Sequence, residues 1–215
     1  MKTLLWTRGS LVAAFAAAVS VVLSAGCALQ PAPAAGGPTA PAAAAPASAP
    51  WVDEARKVAI GLPPKLLAVL QQEIDRSGPE GAVAVCQEQA PVMARNASAA
   101  SGWAIRRVSL RNRNPKAVPD AWERAALQDF DRRVAAHEPP SRLEQAEITQ
   151  ENGVAVQRYI RALPTIGLCL QCHGTPAQVS PAVAARLQAL YPGDQATGYS
   201  AGQVRGAITL RKPLP

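Results

Sequence analysis

Cys169-Leu170-Gln171-Cys172-His173, continuing into Gly174-Thr175-Pro176, is the stretch on which the reading of this chain turns. Two thiols three positions apart, with a histidine directly after the second, form the attachment pattern of c-type haem. One short turn must bring both sulfurs to the vinyl groups of the macrocycle and the imidazole to its iron, which is why the spacing is tight. With four Cys and two His among 215 residues, chance supplies this pattern in about one chain in a thousand.

Two other chemistries use such cysteines. A redox-active or structural disulfide needs only the Cys-x-x-Cys pair and an oxidising compartment. A thioredoxin-like site, however, places that pair after a buried strand at a helix start, whereas here it follows a hairpin and precedes a Gly-Thr-Pro loop. Zinc needs about four ligands, and Cys86, Cys169, Cys172 and His173 could supply them. Structural zinc more often uses two paired clusters, and Cys86 stands alone in the sequence. The pattern therefore reads as one covalently attached haem c, with Cys169 and Cys172 as attachment points and His173 as proximal iron ligand.

The other end of the chain carries export signals. Lys2 and Arg8 precede an apolar run, Leu11 to Leu23, of 13 residues. That is short for a helix across a ~30 Å hydrocarbon core and suits a secretory leader. Leu23-Ser24-Ala25-Gly26-Cys27 then resembles the lipobox of bacterial lipoproteins, in which the cysteine is lipidated and becomes the mature N-terminus. Residues 1–26 read as a lipoprotein-type signal peptide and Cys27 as a lipid anchor in the membrane. Ala28 follows, where many inner-membrane lipoproteins have aspartate, so the expected location is periplasmic, at the outer membrane. Of the 23 residues from 28 to 50, 11 are Ala and 6 are Pro. Helix-forming Ala interrupted so often by Pro cannot sustain hydrogen-bonded turns, and 27–50 reads as a lipidated cysteine plus an extended tether. The folding unit expected is 51–215.

Composition bounds the rest. Charged residues are 17% and hydrophobic ones 48%, which excludes a highly charged disordered polymer. Aromatics are only 4%, fewer than a core of this size commonly uses, and a large planar cofactor would compensate. The net charge is +7, and losing Lys2 and Arg8 with the leader leaves +5. The basic residues are interleaved with acids apart from Arg106, Arg107, Arg111 and Arg113, so no nucleic-acid partner is expected.

Periodicity gives an α+β order. Val58, Leu66, Leu67, Leu70 and Ile74 have helical spacing over 57–74, with Pro63-Pro64 as an interruption and Ser77-Gly78-Pro79 as a stop. A second helix is predicted over 79–99, a strand over 103–110, and a turn at Asn112 to Pro115. A third helix spans 119–137, ended by Pro139-Pro140. A β-hairpin turns on Asn152-Gly153 within 147–161. A short helix at 181–190 and a strand at 204–210 complete the chain.

For the other face of the iron, three residues compete: Cys86, Met93 and His137. Cys86 and Met93 lie seven apart on one helix, a rise of ~10.5 Å, so both cannot serve one iron. His/Met ligation is familiar in cytochromes c, and spacing alone does not choose.

Several further stretches are similar to the Tll-type family of single-haem c-type domains. They are Gly81-Ala82-Val83-Ala84-Val85-Cys86, and Arg106-Arg107-Val108-Ser109 leading to Arg113-Asn114-Pro115. The haem motif through Gly174 follows, then Tyr191-Pro192-Gly193-Asp194-Gln195-Ala196-Thr197-Gly198-Tyr199 and Arg205-Gly206-Ala207-Ile208. This resemblance implies a PAS-like antiparallel sheet with flanking helices enclosing one haem. It also implies axial ligation by His173 and by the thiolate of Cys86. Haem propionates then need partners, and Arg107, Arg113 and Asn114 are the candidates. The Tyr191 to Tyr199 loop is placed to wrap the haem edge.

The function implied is a membrane-tethered periplasmic monohaem protein, not an enzyme, that senses redox state or a diatomic ligand at low potential. The alternative is a one-electron carrier. Either needs a periplasmic or membrane redox or signalling protein as partner.

Overall fold

A computed structural model of the protein describes residues 48–215. The leader, the lipidation site at Cys27 and most of the tether lie outside the described residues. Among the described residues no helix is long and apolar enough to cross a membrane.

Helix α1 (Pro50–Ala84) opens with Pro at its first position, where a missing N–H costs nothing, and Asp53 in its first turn. It begins earlier than the apolar spacing predicts, because its first contacts are made by small residues. Ala55 and Ala59 are fully buried, and their size lets the helix lie close against the sheet. Pro63-Pro64 do not end it. The break falls at Gly78, whose φ of 71° and ψ of 171° redirect the chain. One wide π turn (Val85–Gln89) then precedes α2 (Ala90–Ser101). Ala90 N–H reaches back to the Val85 carbonyl, and Pro91 sits one residue on. A proline ring crowds the carbonyl four residues before it, here Gln87, and widening the turn relieves that crowding.

Strand β1 (Ala104–Val108), helix α3 (Ala121–Ala135), strands β2 (Glu144–Glu151) and β3 (Val154–Pro164), the single turn α4 (Leu170–His173), helix α5 (Pro181–Leu190) and strand β4 (Val204–Pro213) follow. A reciprocal capping box of Asp120 and Glu123 starts α3. The β2–β3 hairpin turns on Asn152 (φ 52°) and Gly153 (φ 80°), the conformation of a two-residue hairpin turn.

The four strands form one antiparallel sheet in the order β1-β4-β3-β2. The architecture is α+β, a PAS-like antiparallel sheet with flanking helices. Alternation along the strands divides the core in two. On one face Val108, Ile160, Ala162 and Ala207 meet Ala126, Leu127 and Phe130 of α3. On the other, Tyr159, Ile208, Leu210 and Trp103 meet Ala55 and Ala59 of α1. A third cluster joins Val83 near the end of α1 to Val183, Leu187 and Tyr191, with Cys172 packed against it. At the head of β4 the backbone of Gly206 (φ 154°) runs so close to β1 that an added Cβ would sit 2.4 Å from the Val108 carbonyl. That close approach places Arg205 beside Ser109 and the loop after β1.

Candidate functional site

The site is built where α4, the end of α1 and the loop before β4 meet. A 3₁₀ turn (Gly167–Cys169) runs directly into α4. Cys169, Cys172 and His173 are therefore spaced three and four residues apart on one turn and share a side of it. Gly174 closes the turn, its N–H donating to the Leu170 carbonyl at 3.0 Å. A Cβ there would lie 2.5 Å from the same oxygen, so the tight exit requires glycine.

The loop before β4 grips this turn along its backbone. Gly198 N–H donates to the Gly174 carbonyl at 2.8 Å, and Tyr199 N–H to the His173 carbonyl at 2.9 Å. His173 Nδ1 lies 2.7 Å from the Ala196 carbonyl. A carbonyl only accepts, so Nδ1 carries the proton and Nε2 is left with its lone pair. The Tyr199 ring stands edge-on to the imidazole, with centroids 6.3 Å apart.

Arg113 is a brace. Its Nε donates to Asp194 at 2.9 Å, and its Nη2 donates to the carbonyls of Cys172 at 2.6 Å and Ala196 at 3.3 Å. Asp194 in turn accepts from Ala196 N–H at 2.8 Å. Arg113 thus ties the cysteine turn to the loop that orients His173. Asn114 serves the neighbouring turn, its side-chain oxygen accepting from Lys116 N–H at 2.9 Å. Arg107 is exposed on β1, on the same side of the sheet as Ile105.

The electrostatics are one-sided. Burial first, then the guanidinium charges of Arg205, Arg113 and Arg107, push His173 down to about 2, against the opposing pull of the Ala196 carbonyl. The imidazole is neutral and available as a ligand. Burial raises the Cys172 thiol, Arg113 opposes this, and the nearby Cys86 and Cys169 add to the rise. Cys86 is half-buried in the π turn, three residues after Val83. Burial raises the Tyr191 hydroxyl, and the nearby Cys86 adds to the rise.

The other two candidates for the distal side are placed differently. Met93 is half-buried on α2, and His137 is exposed just beyond α3 with φ of 67°. His137 thus follows the helix that covers the opposite face of the sheet from α1.

Arg205 carries no role in the sequence reading, yet it is 8% exposed at the heart of the cluster. Burial and the neighbouring Arg107 lower it to about 10, with Tyr199 opposing. Its Nε is buried without any partner. The signal available in the sequence is a charged Arg205 inside the short run Val204 to Ile208, whose other residues carry no polar side chain.

These features fit the group that the cysteine motif implies. The thiols of Cys86, Cys169 and Cys172 are all free. A neutral imidazole presents its lone pair from the turn bearing two of them. Three guanidiniums with one acid among them leave a positive surplus suited to a prosthetic group with two carboxylates. Among the described residues no three His, Cys, Asp or Glu side chains converge on a point that would hold a metal ion.

Comparison with known proteins decides the family. The model of the Tll0287-like family matches residues 39–213. The chain belongs to the Tll0287-like family. A solved structure similar to this Tll0287-like chain is titled the crystal structure of the cyanobacterial heme-protein Tll0287. It is 30% identical, covers 61% of this chain and 73% of its own, and has a TM-score of 0.49. No curated protein matches this Tll0287-like chain.

Proposed function

We propose that this domain holds one haem c covalently through Cys169 and Cys172, ligated by His173 and Cys86. On this reading it acts as an exported, membrane-tethered sensor of redox state or of a small diatomic ligand. The observation that carries the reading is the His173–Ala196 bond, which leaves Nε2 free on the very turn that bears two free thiols. The family supports it, since Tll0287 itself is described as a heme-protein.

Haem, when bound, would supply a one-electron Fe(III)/Fe(II) couple. Cys169 and Cys172 fix its edge by adding their S–H bonds across the two vinyl groups, each sulfur to one carbon and its hydrogen to the other. His173 is held in one tautomer by Ala196 and cannot rotate away without breaking that bond. Cys86 supplies negative charge, which favours Fe(III) and lowers the potential relative to Met ligation. Cys86 would hold the iron as a thiolate, and the same side chain protonated from solvent would hold it less firmly. Its place in a widened helical turn supports this role, because such turns tolerate a local shift with little disturbance of the flanking helix. Release of Cys86 would make the group responsive to a diatomic ligand or to redox state.

One-electron carriage is the second reading. Residues 168–173 are all half-buried, so a group attached to them lies near the surface and within reach of a partner. Lipidation at Cys27 and a periplasmic location, with a redox or signalling protein as partner, belong to both readings.

The test is the absorption spectrum, oxidised and reduced, of protein matured in an exporting host, with CO added to the reduced form. Sensing requires rapid CO binding to the reduced protein. A reduced protein that stays six-coordinate and inert to CO, and exchanges electrons quickly with periplasmic donors, makes it a carrier.

A further inference from the structure

Only part of the Arg205 guanidinium is engaged. Its Nη1 donates to Ser109 Oγ at 3.1 Å and to the Arg111 carbonyl at 3.3 Å, which fixes the plane of the guanidinium. Nε is buried without a partner, and Nη2 has none among the described residues. Nε and Nη2 together form one edge of the guanidinium, with two parallel N–H bonds. Elsewhere in this protein the same edge grips carboxylates. Arg56 uses it on Glu144 at 2.8 and 2.6 Å, and Arg133 uses it on Glu138 at 2.7 and 2.6 Å. The other arginine with a bare Nε, Arg158, is balanced by Asp120, Glu123 and Glu151. Arg205 makes no ion pair among the described residues.

The surroundings sharpen the point. The charges of Arg107 of β1 and Arg113 of the following loop act on Arg205. Asp194 and Tyr199 of the loop before β4, with His173 of α4, complete the shell. Asp194 is committed to Arg113 and to Ala196 N–H. Arg111 lies over one side of Tyr199 at 3.7 Å, and Arg205 approaches the same ring at 5.2 Å. A buried cation without a counter-ion is strongly disfavoured unless an anion arrives to meet it.

We propose that the Nε–Nη2 edge of Arg205 binds one carboxylate of the prosthetic group, positioning the haem and keeping that propionate ionised. This rests on the haem reading above. Arg107, Arg113 and Asn114 are the partners that local sequence offers. Arg205 is the one that combines a buried, unpartnered donor with a guanidinium plane fixed by its neighbours.

The experiment compares matured wild type, Arg205→Gln, Arg205→Lys and Ser109→Ala. It measures haem per chain and the midpoint potential from pH 5 to 9. Losing the cation beside the haem disfavours the reduced form, so Arg205→Gln shifts the couple about tenfold against reduction, 59 mV for one electron. The released propionate then titrates nearer neutrality, and the potential of Arg205→Gln becomes pH-dependent below about pH 6. Ser109→Ala removes one of the two bonds that fix the guanidinium, so its profile moves in the same direction by less than that of Arg205→Gln. Where Arg205→Gln does not fold, Arg205→Lys decides, because it keeps the charge but loses the fork. Its pH dependence must also move upward. Haem-loaded Arg205 variants with a wild-type potential and pH profile overturn this proposal alone. A wild type matured without haem overturns it together with the functional reading.

Discussion

The imidazole of His173 and the carbonyl oxygen of Ala196 are 2.7 Å apart, and that one bond sets which ring nitrogen is free. Ala196 is held by Arg113 and Asp194, so the orientation of the proposed proximal ligand depends on a buried ion pair two contacts away.

Arg113 and Asp194 are only 7% and 11% exposed in their side chains. Arg113→Met leaves Asp194 buried without its partner and should destabilise the domain by about 3 kcal/mol. Arg113→Met combined with Asp194→Leu should recover part of that loss. Urea denaturation of the three proteins measures it, and equal loss in single and double variants contradicts the pairing.

Gly174→Ala drives a Cβ to 2.5 Å from the Leu170 carbonyl. The turn carrying Cys172 and His173 must then open. The variant should mature with much less attached haem than wild type, read as haem retained per chain after denaturing electrophoresis. Wild-type loading would show that the turn has slack.

The choice among Cys86, Met93 and His137 has a direct spectroscopic reading. Cys86→Ala should change the oxidised low-spin bands and raise the potential. Met93→Leu and His137→Ala should leave both unchanged. Spectra that respond to either of the last two, and ignore Cys86→Ala, reassign the distal side.

Glu144 ties α1 to the sheet, accepting from Arg56 at 2.8 and 2.6 Å, from Tyr159 at 2.7 Å and from Arg161 at 2.5 Å. Burial pushes its carboxyl up, but the bonds from Arg56 and Tyr159 outweigh burial and hold it below its ordinary 4.5. The folded state therefore binds fewer protons than the unfolded chain in this window, and stability rises with pH there. This contribution is present above about pH 4.5 and is lost as pH falls through the lower folded value. Glu144→Gln should reduce stability at pH 7 and flatten its decline between pH 5 and 3. Parallel decline in variant and wild type would assign acid sensitivity to other groups.

Much of this arrangement is legible in the chain. The helix predicted over 181–190 is α5, Pro181–Leu190, because Ser180, Pro181 and the apolar spacing agree. Asn152-Gly153 marks the hairpin, whose strands run further than predicted because polar residues continue along the exposed β2. The Pro63-Pro64 pair misleads, since packing of Ala55 and Ala59 outweighs two lost hydrogen bonds. The π turn is hidden in an ordinary helical period, with Pro91 as its only sign. Arg205 is least legible. Its hydrogen-bond partner Ser109 is 96 residues away, and only the sheet register brings β1 and β4 together. A local cluster such as Arg106 to Arg113 is visible in sequence, while a charge delivered by strand pairing is not.

The central claim is that this domain carries haem bonded to Cys169 and Cys172. It is tested most directly by maturing the protein in an exporting host and extracting it with acidified acetone. The account predicts that the haem stays with the polypeptide in wild type, and that Cys169→Ala with Cys172→Ala loses it. Haem that leaves wild-type protein in the solvent, or a wild-type chain that acquires none, would contradict it.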